Sequence, residues 1–426
     1  MYKLKYILAI LLLINACQKE KETAIKKDSS DKGITKKNDL VKLTNSKINS
    51  EGTYLFNSQE DILINWTTWS KDKSKNQLQF AFFDKKTNQF KKPITIPQAT
   101  GLQLHVESMA KVGITKKGFL YAVYRRKNPK SKSRFGGFVY YCISKDNGQT
   151  WSDERKLVSD KTSKSQAFFD IALLPNGEIG ATWLDSRKPI DKNHIGKTVY
   201  FASTNLDNGF VNSKPIAGST CECCRTNIFV DTQNNIYVAY RNLTDKTEPN
   251  FDDIGEVEIR DMYYTFSNDM GENFSKPEPI SQDNWHINGC PHTGPSLANK
   301  GNQLSAVWFT GKKNEEGIYY AFKEGEKFNT KTLLSNQGHH PQMIALFGKN
   351  YVVYEEYYEI DEKGYTKIVL EEIGNLLTKK KIEVSKPKTN NNHAVLTAID
   401  NQHLVIAWVN DDTRNPKIMC KIVSTS

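Results

Sequence analysis

The stretch "CECC" places Cys221, Cys223 and Cys224 within four positions, and "CPHTGP" adds Cys290 two residues before His292. Thiolate and imidazole together are ligands for zinc or copper, and soft sulfur favours Cu(I). Three histidines support such a site by their spacing. His292, His340 and His393 each stand nine residues before the second residue of a short polar pair, "KG", "GK" and "NQ". The same offset marks Ser108 and Thr226, with His105, Cys223 and Cys224 two or three positions further back. "HHP" leaves His339 as the alternative to His340. The rival chemistry is disulfide formation, because Cys221, Cys223, Cys224 and Cys290 are an even number and oxidising compartments favour bonds. One disulfide beside a histidine-rich site would satisfy both readings. Cys142 and Cys420 fall in separate strand-like segments and read as buried thiols.

A second set of residues could act on a sugar. Arg187, Arg241 and Arg260 are candidates to hold a carboxylate, with Asp185 or Glu355 as acid/base. The plainer reading is ion pairing on a solvated rim, where such charges are worth little.

Either set needs a scaffold that brings distant segments together. A unit made of an apolar strand, a polar turn and a second strand ending in an aromatic recurs seven times: "EDILINWTTW", "GFLYAVYRR", "GEIGATWLDSR", "NNIYVAYRN", "NQLSAVWFTG", "KNYVVYEEY" and "QHLVIAWVNDD". A third alternating strand follows, as in "GGFVYYCIS" and "RDMYYTFS". No long amphipathic helix interrupts them. The reading is an all-β propeller of four-stranded blades over residues 41–426, seven blades, with six as the alternative. The last unit stops at "KIMCKIV", so "DLVKLTNS" is expected to supply its outer strand and close the ring. In such a ring the starts of first strands and the ends of second strands share a face, which puts the histidines and the arginines together.

Two turns sharpen the reading. Ser144, Asp146, Gly148 and Trp151 in "SKDNGQTW" are matched by Ser267, Asp269, Gly271 and Phe274 in "SNDMGENF". Asp accepts turn amides, Gly takes positive φ, and the aromatic plugs the gap between sheets. The pattern resembles the Asp-box, or bacterial neuraminidase repeat, of sialidase-like propellers. "CECC" with "CPHTGP" further resembles a group of exported bacterial sialidase-like proteins. The resemblance implies a glycoside hydrolase on acidic glycans, yet the F/Y-R-I-P type motif that opens sialidase catalytic domains is missing. The expected function is therefore binding of a metal ion or small anionic ligand at the channel mouth, without sialidase turnover. Sialidase-like hydrolysis is the alternative, and a structural surface adhesin the third reading.

The N-terminus reads as an export signal: Lys3 and Lys5, an apolar run too short to span a bilayer permanently, then Ala16 before Cys17. "LINAC" resembles the lipobox of bacterial lipoproteins, which implies lipidation of Cys17 and removal of residues 1–16. Residues 18–40 lack aromatics and read as a charged tether. The expected location is the cell envelope, at the outer membrane and surface-exposed, with membrane contact through the anchor. The net charge of +11 is scattered over turns and tether, which argues against nucleic acid and for a small ligand or glycan partner.

Overall fold

Each of the seven units places its aromatic deep in a sheet. Trp66, Tyr124, Trp183, Tyr240, Trp308, Tyr354 and Trp408 are all at most 1% exposed. Burying a side chain of this size on one face of a hairpin requires a neighbouring sheet to cover it, so the repeats stack into a ring. A computed structural model describes residues 40–425 apart from 46, 132–135, 188–194, 245–257, 288, 375–378 and 413–414. The expected signal, Cys17 and the tether before Leu40 lie outside the described residues.

Seven antiparallel sheets form the blades of a β-propeller. Their first two strands run Asn49–Asn57 and Ile62–Trp69 in blade 1, Lys111–Ile114 and Leu120–Lys127 in blade 2, and Gln166–Leu173 and Ile179–Asp185 in blade 3. Blades 4 and 5 begin with Asn227–Val230 and Ile236–Arg241, then Ser296–Lys300 and Gln303–Thr310. Blade 6 begins with Gly338–Leu346 and Lys349–Ile360, and blade 7 with Asn391–Asp400 and His403–Asn410. Ring closure follows the expectation: Val41–Lys42 pairs antiparallel with Lys417–Ser424, Val41 opposite Cys420. The N-terminal strand thus caps the sheet edge that blade 7 would otherwise expose.

The two glycine turns tie blades together. Ser144 Oγ donates to Asp146 at 2.8 Å and accepts from the Gly148 amide at 2.9 Å, while Asp146 accepts from Thr150 N at 2.9 Å. Gly148 has φ of +87°, and Trp151 sets its ring edge-on to Phe80 of the preceding blade, 6.0 Å between centroids. The second turn repeats this: Gly271 amide to Ser267 Oγ at 2.8 Å, and Phe274 against Phe201 at 5.2 Å.

Candidate functional site

The first strands do not enter the sheet smoothly. At the position reached by counting nine back from the inner turn, Phe168, His292, His340 and His393 all have φ between 48° and 54°, and Gly52 occupies it in blade 1 with φ of 72°. Pairing registers slip at this point in blades 1, 3, 6 and 7. Each is a bulge that interrupts the alternation of the strand at that residue. Left-handed backbone costs a non-glycine residue about 1–3 kcal/mol, so histidine is held here against a local preference.

His340 and His393 face each other with ring centroids 4.4 Å apart. Glu107, from the segment leading into blade 2, completes the group: one ligand atom from each of the three lies within 4.8 Å of the others. Glu355, in the second strand of blade 6, accepts from His340 Nδ1 at 2.7 Å and from the His393 amide at 2.6 Å. That contact occupies Nδ1 of His340 and leaves Nε2 available. Arg225, just before the first strand of blade 4, donates through one nitrogen to both oxygens of Glu107 at 2.9 Å, and through the other to the Pro341 carbonyl at 2.8 Å. The Gly294 amide adds a bond to Glu107 at 3.2 Å. A side chain at Gly294 would meet the Arg225 backbone, its Cβ 2.3 Å from the carbonyl oxygen, which explains the glycine in "CPHTGP".

The electrostatics follow from burial. Desolvation opposes the charge on Glu107, but Arg225, His340 and His393 outweigh it and leave the carboxyl below its ordinary pKa. Glu355 is likewise opposed by burial and brought down by His340 and His393. Burial would lower His340, yet Glu355 outweighs it and raises the imidazole, while His393 is lowered by burial. Two ionised carboxylates against one guanidinium leave a negative charge for the imidazoles, or a cation, to balance.

The other predicted ligands separate from this group. His105 and His292 pair with centroids 5.0 Å apart, His105 packing edge-on to Phe168, and burial with the neighbouring His292 lowers His105 to about 4. His292 Nδ1 stands 3.2 Å from the Cys223 carbonyl oxygen. His339 stacks on Phe309 at 4.7 Å, so His340 is the residue that faces the axis. Cys221, Cys223 and Cys224 form a buried cluster of their own, and Cys290 is exposed outside it. Cys142 and Cys420 are buried thiols, both raised to about 12 by burial.

The arginines do not converge on a carboxylate clamp. Arg187 pairs with Asp185 at 3.0 Å and lies over Tyr200. Asp185 also accepts from Trp183 Nε1 and Ser163 Oγ, each at 2.9 Å. Arg241, 1% exposed, donates to the carbonyls of Arg260, Thr293 and Phe309 and stacks on Trp285. Arg260 reaches Glu258 at 2.8 Å and Cys221 Sγ at 3.3 Å.

Sequence reasoning missed Glu107 and Arg225. Each directly precedes a register position, Ser108 and Thr226, so the offset that found the histidines points one residue away from them. Lys111 was also missed. It lines an axial cavity of about 180 Å³ with Asp170 and Arg225, donates to the Phe169 carbonyl at 2.8 Å, and is lowered to about 8 by burial.

No protein-family model matches the chain, and no curated protein matches it. Among solved structures, an ulvan lyase of family PL25, bound to -[GlcA(1-4)Rha3S]-, aligns with a TM-score of 0.57 at 12% identity, over 89% of this chain and 94% of that one. The polysaccharide lyase Uly1 aligns with a TM-score of 0.56 at 10% identity, covering 88% and 90%. The Hadza microbial sialidase Hz136 gives 0.46 at 12% identity, covering 85% and 77%. At these identities the likeness is one of fold, and the fold it shows is the β-propeller.

Proposed function

We propose that this chain is an exported, lipid-anchored propeller that holds a zinc ion on Glu107, His340 and His393 and uses it to bind an anionic glycan, without sialidase turnover. The observation that carries the reading is the convergence of those three ligand atoms within 4.8 Å. Two nitrogens and one oxygen suit zinc, and three protein ligands leave a coordination position for a sugar carboxylate or hydroxyl. The outer contacts fit as well: Glu355 orients His340 and Arg225 orients Glu107, as partners of metal ligands commonly do. Engagement of Arg187, Arg241 and Arg260 with their own neighbours supports the absence of sialidase chemistry. Anchoring through Cys17 belongs to the same proposal and rests on "LINAC".

A second reading has one observation in its favour. The 2.7 Å contact between His340 and Glu355 is also a base with its orienting carboxylate, which would serve metal-free proton abstraction on a uronate sugar. The PL25 neighbour is described as an ulvan lyase, which makes glucuronate-containing glycans the first substrates to offer.

Elemental analysis of protein purified without chelators separates the two. About one zinc per chain is expected, and a chelator should lower the melting temperature of the wild type while sparing a His340→Ala/His393→Ala variant. Ion at a hundredfold excess over its dissociation constant adds about 2.7 kcal/mol to the native state. Absence of stoichiometric metal, with turnover of a glucuronate glycan indifferent to chelator, would transfer the site to the second reading.

A further inference from the structure

Cys221, Cys223 and Cys224 occupy the link between the outer strand of blade 3, Phe210–Thr220, and the first strand of blade 4. Their exposures are 1%, 5% and 2%, and they pack in an apolar cluster with Phe168, Val199, Ile228 and Leu243. Cys221 Sγ is 3.5 Å from Cys223 Sγ and 3.6 Å from Cys224 Sγ, and the three sulfurs lie within 4.8 Å of one another. A disulfide would need a sulfur separation of about 2.05 Å, whereas thiolates sharing one ion at about 2.3 Å stand about 3.8–4.0 Å apart. The observed spacing is close to the second arrangement, reachable by shifts of a few tenths of an ångström. Arg260 Nη1 lies 3.3 Å from Cys221 Sγ and supplies a fixed positive charge beside the sulfurs.

We propose that Cys221, Cys223 and Cys224 form a second metal site, specific for Cu(I), separate from the channel-mouth histidines. Among the described residues no histidine, carboxylate or fourth cysteine joins the group, and the burial of the sulfurs keeps water from completing a tetrahedron. Three soft donors without a fourth suit a two- or three-coordinate monovalent ion and disfavour zinc, which takes four ligands. Cu(I) on two thiolates and one thiol carries −1, and Arg260, which also pairs with Glu258, places a guanidinium beside that charge. Loading this site releases two thiol protons and involves no electron transfer. This proposal does not depend on the zinc reading, since the two sites share no side chain.

The test is anaerobic titration of the reduced full chain with Cu(I) against a chromogenic Cu(I) chelator. One equivalent should be withdrawn from the chelator, with a thiolate-to-copper charge-transfer band in the ultraviolet. Cys223→Ser should weaken retention at least a hundredfold and Arg260→Gln about tenfold, whereas His340→Ala/His393→Ala should retain copper as the wild type does. Should the cysteine variant fail to fold, X-ray absorption of the wild type decides, three sulfur neighbours being expected. No stoichiometric copper on the reduced wild type, or a copper shell of nitrogen and oxygen, overturns the site. So does alkylation mapping that finds a Cys221–Cys223 or Cys221–Cys224 disulfide which native-state reductant cannot open.

Discussion

Two charged regions share one face of the propeller and are built in opposite ways. At the ends of second strands, Arg187 and Arg241, with Arg260 just before a third strand, spend hydrogen bonds on neighbouring carbonyls and carboxylates, and Arg187 and Arg241 lie over Tyr200 and Trp285. At the starts of first strands, His340, His393 and Glu107 converge with ligand atoms toward one point, on backbone held at positive φ for both histidines. Arg241 braces blade 4 against blade 5, while Arg187 and Arg260 pair with carboxylates two residues away in the chain. The histidine group instead brings two imidazoles and a carboxylate to one point. Residue type alone therefore does not mark the proposed site: the arginine set has the more sugar-like composition, and the histidine set has the convergent ligand atoms.

The largest effect should come from breaking a brace. Arg241→Ala strands three buried carbonyls and uncovers Trp285, an expected loss of about 3–5 kcal/mol. It should appear as a lower urea midpoint at unchanged slope, with zinc uptake by the folded protein intact. A folded Arg241→Ala chain that has lost glycan affinity would move the arginines to the functional side.

Glu355→Gln sharpens the comparison from the other region. It removes the charge on which His340 is oriented while keeping nearly the same shape, so zinc affinity should fall about 10–100-fold. Competition against a zinc-responsive dye measures this, and an unchanged affinity would assign Glu355 to fold stability alone.

Smallest in stability is His393→Gly. Glycine accepts φ of 50° without strain, and the His393 amide can still donate to Glu355, so the metal-free fold should change by at most about 1 kcal/mol. Chelator sensitivity should nonetheless disappear. Stability that falls by several kcal/mol without metal would mean the imidazole is packing material.

Much of this was legible in the repeat. The buried aromatic of each unit, the closure by Val41–Lys42 and the two glycine turns follow from local patterns that any correct ring must satisfy. The nine-residue offset found His292, His340 and His393, because a common distance from the inner turn sets a common height along the axis. Height was not enough to say which side chains meet. His292 went to His105 and the Cys223 carbonyl, His340 and His393 to Glu107, and the cysteines to each other and Arg260.

By itself the sequence determined the ring of repeated blades and the strand that closes it, since both depend on near-neighbour periodicity, turn chemistry and the pairing of a free edge. Only the tertiary structure decided the partners of Glu107 and Arg225, which lie 118 residues apart on blades 2 and 4 yet bond directly to each other. Closing the ring turns such separations into a single contact. Which residues then face one another depends on loop lengths and on rotation about the axis, and neither leaves a period in the chain.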